Sequence, residues 1–233
     1  MSALDSGDMG TLDEPINTSK GCGGVMRTAP CGMMNLLPGA GDDAWALQGA
    51  QAAAITHSHL MGYVPAAMLA DMIHNILLED GRGLEAIVRD SLQRVCRMFG
   101  PDIASADGCE AREGEGGGSF AAILAFRQMI GRAIALAKTD TPAEAAIGQL
   151  GEGWVGDEAL AIAVYCCLKY PDNLVDCLCA AVNHSGDSDS TGAIAGNILG
   201  AWLGVEAIPE RWLQVLEARE LIEMMACAMA QAE

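Results

Sequence analysis

Four glycines follow one another at four-residue spacing near the end of the chain, at Gly192, Gly196, Gly200 and Gly204. An α-helix turns once in about 3.6 residues, so these glycines share one face and leave it smooth. Each interior glycine costs a helix about 1 kcal/mol relative to alanine, which suggests that the smooth face has a purpose. The spacing therefore predicts a helix over residues 193–204 that packs closely against a neighbour. A membrane dimerisation face has the same spacing, but this segment is short and contains Asn197.

The rest of the chain shows the same small-residue, helical style. Apolar residues make up 51% of the sequence and aromatic residues only 4%, and β-branched runs are few, so closely packed helices are favoured over sheets. A length of 233 residues suits one domain. We expect an all-α domain over residues 1–233 with a flexible insertion loop at residues 99–118. Apolar periodicity and proline or capping residues predict further helices over residues 43–60, 63–79, 84–98, 120–138, 159–169, 172–181, 210–216 and 221–232, with a capping box at Thr141 opening another.

Charge and cysteine usage limit the partners and the compartment. The formal net charge of −18 would repel nucleic acid and anionic membrane surfaces. The nine cysteines are odd in number and form no C-x-x-C pair, which indicates reduced, mostly buried thiols. No signal peptide is recognisable, and the apolar runs are interrupted by Asn197, Asp71 or Arg132. We expect a cytoplasmic protein without a nucleic-acid or membrane partner.

Residues 183–192 (NHSGDSDSTG) carry the densest set of polar groups in the chain. Asp187 and Asp189 lie two residues apart in a Gly/Ser-rich turn, where their oxygens can converge on a hard divalent cation. The alternative is an Asx-type turn in which an aspartate or serine caps the next helix. An EF-hand is excluded, because its twelfth position requires a bidentate glutamate and holds Ile198.

Two glycine-rich turns precede this stretch. Residues 19–27 (SKGCGGVMR) allow backbone N–H groups to approach an anion, with Lys20 and Arg27 adding positive charge. They match neither a Walker A motif nor a dinucleotide fingerprint, and a purely structural turn is the alternative. Residues 151–158 (GEGWVGDE) offer Trp154 as a stacking surface, with two acidic residues expected to cap the following helix. His57 and His59 do not share a helical face, so they are not expected to form a metal site together.

These segments, in this order, resemble the ADP-ribosylglycohydrolases, typified by the dinitrogenase reductase-activating glycohydrolase. The resemblance rests on residues 19–30, 151–160 and 183–192, with Thr56-His57 where the family usually has a Thr-His pair. It spans nearly the whole chain. The resemblance implies an orthogonally packed all-α bundle with two Mg²⁺ ions, and hydrolysis of the bond between ADP-ribose and a protein side chain or similar conjugate.

Site residues follow from the same resemblance, position by position. The metal ligands that it implies are Asp187, Asp189 and Ser190. The residues that it places around ADP-ribose are Ser19, Lys20, Gly21, Cys22, Gly23, Gly24, His57 and Trp154. No residue of this chain receives a catalytic role.

The chain departs from the family at its beginning. Family members usually have a Gly-Asp-rich motif and a Thr-Asp-Asp segment before the first glycine-rich turn, where this chain has only residues 1–18. Neither Asp5 and Asp8 nor Asp42 and Asp43 match those ligands in spacing or position. The chain thus resembles a member without its N-terminal third, and we expect one Mg²⁺ or none. The alternative function is an inactive relative that binds ADP-ribose or metal, or serves as a structural or interaction protein.

Overall fold

A computed structural model describes residues 7, 9–34, 41–78, 81–100 and 117–231. Those residues form helices and turns without a strand, and extended backbone pairs only where Gly21 meets Val155. The all-α prediction is confirmed. The helices are α1 Ala29–Met33, α2 Ala44–Ala54, α3 Leu60–Leu77, α4 Leu84–Phe99, α5 Gly117–Ala137, α6 Ala143–Ile147, α7 Gly156–Lys169, α8 Leu174–Val182, α9 Ser188–Leu203, α10 Glu210–Leu213 and α11 Arg219–Gln231, with short 3₁₀ turns at Cys22–Gly24 and Val205–Ala207.

Helices α3 and α7 form the centre of the molecule and contact each other. Both are apolar on nearly every side, and almost all of their residues are buried. Helix α3 packs against α1, α2 and α4, while α7 packs against α5, α8 and α9. An apolar helix surrounded in this way needs no solvent-facing polar stripe, which explains why the two show little amphipathic periodicity.

Small residues allow the backbones to approach closely where α1 and α2 meet α3. A Cβ atom on Gly49 of α2 would lie 2.7 Å from the Ala66 carbonyl oxygen, and one on Gly32 of α1 would lie 2.2 Å from the Ala70 carbonyl oxygen. Neither distance is possible for a real Cβ. The abundance of glycine and alanine therefore serves helix packing at these two contacts.

Two helix boundaries differ from the predictions near His59. The helix predicted over 43–60 ends at Ala54, and the next begins at Leu60 rather than at residue 63. His59 caps that second helix, because its Nδ1 accepts a hydrogen bond of 3.0 Å from the Met61 N–H. Pro65 consequently lies inside α3 rather than in its first turn, and leaves the Met61 carbonyl without its usual helical partner.

The glycine-striped helix begins five residues earlier than predicted, at Ser188. Within the helix, only Gly192 of the stripe faces a close neighbour, since its Cβ would lie 2.6 Å from Val182 Cγ1. Gly200 has no atom within 4 Å of that position, and Gly204 ends the helix with a positive φ of 79°. The prediction of close packing along the whole stripe is therefore wrong.

The predicted capping box is also wrong. Helix α6 starts after Pro142, whose position carries no side-chain capping hydrogen bond. The Thr141 amide instead donates to the Thr139 hydroxyl over 3.3 Å. The Thr141 side chain thus belongs to a local turn before the helix.

Most of the insertion loop predicted at residues 99–118 lies outside the described residues. Phe99 still belongs to α4, and Gly117 and Gly118 begin α5. Among the described cysteines all eight are free, and half of them are buried: Cys96, Cys166, Cys167 and Cys177. Half of the described thiols are therefore buried, fewer than the expected majority.

Two helices are long and apolar enough to cross a membrane, contrary to the expectation of interrupted apolar runs. They are α3 and the part of α5 from Ser119 to Ala137. Length and composition alone are weak grounds, because the core helix of a globular fold meets the same criteria. Helix α3 is such a core helix, with 78% of its residues buried. The cytoplasmic location stays a prediction.

Candidate functional site

The two glycine-rich turns lie side by side. The Cys22 N–H donates to the Trp154 carbonyl over 3.2 Å, and the Gly156 N–H donates to the Lys20 carbonyl over 2.9 Å. Residues 19–24 are thereby attached to the start of α7. Gly156 also lies against helix α3, where a Cβ would be 2.6 Å from the Met61 carbonyl oxygen.

The second turn also holds the loop that precedes α9. The Asp187 N–H donates to the Glu152 carbonyl over 2.7 Å. Gly186 passes so near that a Cβ there would lie 1.9 Å from the same oxygen. Glu158 fastens this turn from below, because its Oε2 accepts from the N–H groups of Glu152 (3.0 Å) and Gly153 (3.1 Å). Glu158 was predicted to cap the helix. It instead stabilises the second glycine-rich turn through these two hydrogen bonds.

Asp157, the other expected cap, points into the protein. Its Oδ1 is buried and has no hydrogen-bond partner among the described residues. Burial raises the pKa of this carboxyl above its usual value, and the neighbouring Glu158 adds to the effect. Lys20 opposes the shift.

The side chains of Asp187 and Ser190 contact the thiol of Cys22 in the first turn. Both side chains are almost fully buried, at 7% and 3% exposure. The Cys22 thiol donates to Asp187 Oδ2 over 2.7 Å, and the Ser190 hydroxyl lies 3.3 Å from Cys22 Sγ and 3.4 Å from Met26 Sδ. Asp187 occupies the N-cap position of α9 without a side-chain capping bond. Helix capping alone therefore does not account for this carboxylate.

Burial and neighbouring groups shift the pKa values of Cys22 and Asp187. Burial raises the pKa of the Cys22 thiol, and its hydrogen bond to Asp187 raises it further. For Asp187, burial acts to raise the pKa, but hydrogen bonding with Asp189, Cys22 and Ser190 outweighs burial and lowers it. The site thus combines a protonated thiol with an ionised carboxylate at neutral pH.

His184 and Thr191 hold the loop in this shape, and sequence reasoning gave neither a role. The Gly186 N–H donates to His184 Nδ1 over 3.1 Å, so the ring proton lies on Nε2, which is 3.0 Å from Thr191 Oγ1. The buried Thr191 hydroxyl donates to the Ala181 carbonyl over 2.7 Å. Met26 was missed as well, since its sulfur contact with Ser190 has no sequence signature.

The first turn has few free backbone donors. Four of its six amides have protein acceptors: Ser19 to Asn17 Oδ1, Gly21 to Ser19 Oγ, Cys22 to Trp154 and Gly24 to Gly21. Lys20 is exposed at the surface beside it. An anion bound here would therefore depend on Lys20 and the remaining amides more than on a full cradle of N–H groups.

The His57 ring lies against the same turn. Cβ atoms on Gly21 and Gly23 would lie 3.4 and 3.3 Å from His57 Nε2. The His57 Nδ1 contacts the Thr56 hydroxyl at 2.8 Å. Burial lowers the pKa of His57, and the positive charge of Arg27 lowers it further. His59 caps α3 through its Nδ1, so this nitrogen is occupied.

Trp154 leaves its indole largely in solvent, with 58% of the residue exposed. Its carbonyl oxygen binds the first turn, as described above. The residue therefore lies at the rim of the site with an aromatic surface free for a ligand.

The oxygen atoms of three side chains at the start of α9 are of the type that Mg²⁺ prefers. Asp187, Asp189 and Ser190 are hard oxygen donors, and Mg²⁺ usually takes one or two carboxylates and keeps several waters. Across residues 9–34, 41–78, 81–100 and 117–231, no group of three or more His, Cys, Asp or Glu side chains is placed to hold an ion. Asp187, Asp189 and Ser190 therefore have the donor types that one largely hydrated ion takes.

Comparison with known proteins identifies the family of this chain. The model of the ADP-ribosylglycohydrolase family matches residues 2–233. This chain belongs to that family. It is 26% identical over 211 residues to the ADP-ribosyl-(dinitrogen reductase) glycohydrolase of Rhodospirillum rubrum, covering 90% of this chain and 55% of that protein. It is 32% identical over 93 residues to ADP-ribosylhydrolase ARH3 of Bos taurus, covering 36% of this chain and 26% of that protein. The chain thus spans about half the length of the bacterial relative.

Proposed function

We propose that this chain hydrolyses the bond between ADP-ribose and a protein side chain or a related conjugate, with Mg²⁺ held at Asp187, Asp189 and Ser190. One observation carries the proposal. Three polar segments from distant parts of the chain meet at Cys22, whose amide contacts Trp154 and whose thiol contacts Asp187. Family membership gives the site its substrate class, because the related proteins are named for removing ADP-ribose.

In the proposed reaction, water supplies a hydroxyl to the anomeric carbon of the ribose, and the bond from that carbon to the acceptor breaks. Free ADP-ribose leaves, and the acceptor atom takes the second proton of the water. The turn at residues 19–24 would hold the diphosphate and ribose, with Lys20 offsetting part of the chain's net charge of −18. His57 and Trp154 would contact the ligand from the two sides of that turn.

Mg²⁺ bound at this site would orient ribose hydroxyls and a water and would lessen the repulsion between an anionic ligand and an acidic protein. The buried Asp187 would provide the ionised carboxylate that such an ion requires. To contact an ion, the Ser190 hydroxyl would turn away from its contacts with the sulfur atoms of Cys22 and Met26. Asp189 is exposed on the first turn of α9 and would provide the second carboxylate.

The test is release of ADP-ribose from peptides modified on arginine or on serine, measured with Mg²⁺ and with EDTA. We expect release that EDTA abolishes. Asp187→Asn keeps the shape of the side chain and a thiol acceptor but removes the charge, and should lower the rate by about a hundredfold or more. Asp140→Asn is the matched control, because Asp140 is exposed and lies outside the three segments. Its rate should equal that of the unmodified chain.

Two outcomes contradict the proposal. Absence of release from both linkages at high enzyme and Mg²⁺ concentration would reject the hydrolase, and calorimetric binding of ADP-ribose in that case identifies an inactive binding relative. Release that is insensitive to EDTA would reject the metal at Asp187, Asp189 and Ser190.

A further inference from the structure

The side chain of Thr56 connects Arg27 to His57. Arg27 Nη2 donates to Thr56 Oγ1 over 2.6 Å and to the Ala52 carbonyl over 3.0 Å. The same hydroxyl oxygen lies 2.8 Å from His57 Nδ1. The three residues come from the first turn and from the end of α2, so this chain of contacts also ties those two segments together.

The donors and acceptors in the contacts from Arg27 through Thr56 to His57 assign the tautomer of the His57 ring. The Arg27 guanidinium has donors only, so the Thr56 oxygen must accept from it. Because that oxygen already accepts from Arg27, its contact with Nδ1 is best satisfied when the Thr56 hydroxyl hydrogen points to Nδ1 and Nδ1 accepts. In neutral histidine the proton therefore lies on Nε2. In the reverse tautomer both neighbours would donate to the Thr56 oxygen, and its own hydrogen would lose the ring as acceptor.

Nε2 is the nitrogen that lies against the glycine-rich turn. The hydrogen bonds of the His57 ring with described residues involve Nδ1 alone. Cβ atoms on Gly21 and Gly23 would lie 3.4 and 3.3 Å from Nε2, so glycine at both positions leaves that space open. An Nε2–H donor is therefore available to an oxygen of a ligand bound over the turn. Burial and Arg27 keep the ring neutral by lowering its pKa.

We propose that Arg27 and Thr56 are positioning residues that hold His57 as the Nε2–H tautomer, so that the ring donates a hydrogen bond to a phosphate or ribose oxygen at the turn. The identity of the ligand rests on the proposed function, while the tautomer does not. In this arrangement His57 cannot take a proton through Nε2, so it serves as a donor and not as a general base.

The tautomer is tested first, in the free protein, by ¹⁵N–¹H correlation NMR of the imidazole rings at neutral pH. The chain has only four histidines, and His57→Gln assigns the relevant signals. We expect a protonated Nε2 and an unprotonated Nδ1 for His57. Thr56→Val should produce a mixture of tautomers, whereas Thr56→Ser should restore the single form, because serine keeps the hydroxyl. The signals of His59, His74 and His184 are internal controls.

Ligand binding is tested second, by calorimetry with ADP-ribose. Thr56→Val should weaken binding by about twofold, because the apparent affinity falls with the fraction of His57 rings in the Nε2–H form, and Thr56→Ser should not. Arg27→Met should weaken it similarly while keeping the apolar stem. Thermal unfolding of each variant separates loss of fold from loss of tautomer.

The possible results are distinct. An Nδ1–H tautomer in the unmodified protein would overturn the proposal whatever the protein binds, and so would a Thr56→Val variant that keeps a single Nε2–H form. A correct tautomer without any ADP-ribose binding supports the positioning role and rejects the proposed function instead. Equal affinity of the valine and serine variants would reject the role of the hydroxyl in binding.

Discussion

Glycines at the loop contacts and glycines along α9 have very different surroundings. A Cβ on Gly186 would lie 1.9 Å from the Glu152 carbonyl oxygen, and one on Gly24 would lie 2.6 Å from that of Gly62. Along α9, Gly196 meets only Leu178 at 3.6 Å, and Gly200 meets nothing within 4 Å. Regular spacing on a helix is therefore a poor guide to close packing here. At the loop contacts of Gly24 and Gly186, as at Gly32 and Gly49 on helices, glycine lies where two backbones touch.

The largest effect is expected from Gly186→Ala. The new methyl group would overlap backbone atoms of Glu152, which cannot move aside as a side chain would. The loop carrying Asp187 would have to shift, and we expect a loss of about 3 kcal/mol or more in the free energy of unfolding. Urea denaturation measures it. A loss below about 1 kcal/mol would mean that the contact between the two loops is not rigid.

A smaller loss is expected from Gly192→Ala, the one stripe position with a close neighbour. Its Cβ would lie 2.6 Å from Val182 Cγ1, but this methyl belongs to a side chain that can rotate. Crowding should outweigh the gain in helix propensity, leaving a loss of about 1 kcal/mol. Combination with Val182→Ala should abolish the loss, and a persisting loss would place its cause elsewhere.

Gly200→Ala should have the smallest effect, in the opposite direction. No atom obstructs the new methyl group, and alanine restricts the unfolded chain more than glycine does. The free energy of unfolding should rise by up to about 1 kcal/mol. Hydrolysis should be unchanged. Destabilisation would show that a neighbour covers this face in solution.

The sequence predicted the helices better than their ends. The helix predicted over 84–98 is observed at Leu84–Phe99, because its apolar period is strong and Gly83 and Gly100 flank it. The end of α2 and the start of α9 were missed because distant contacts decide them. One is the hydrogen bond of His59 to Ser19, and the other is the attachment of Asp187 to Glu152.

The candidate site was also predictable only in part: the sequence indicated residues but not the contacts between them. The family resemblance, and not spacing or residue chemistry alone, selected Asp187, Ser190, Cys22 and His57. No rule of spacing could reveal that the Cys22 thiol contacts Asp187, or that Met26 and Thr191 take part, because these contacts depend on how the helices pack. Magnesium and the ligand-binding roles remain predictions until the experiments above are done.

The contact between Cys22 and Asp187 joins residues 165 positions apart. Closing so long a loop lowers the entropy of the chain before the contact can stabilise it. Contacts between residues so distant in sequence also slow folding. The site therefore comes into existence only when nearly the whole described chain has reached its final arrangement. Anything that binds there selects the complete fold over every partly folded form, so a bound ligand should raise the melting temperature of the entire molecule and not of one segment.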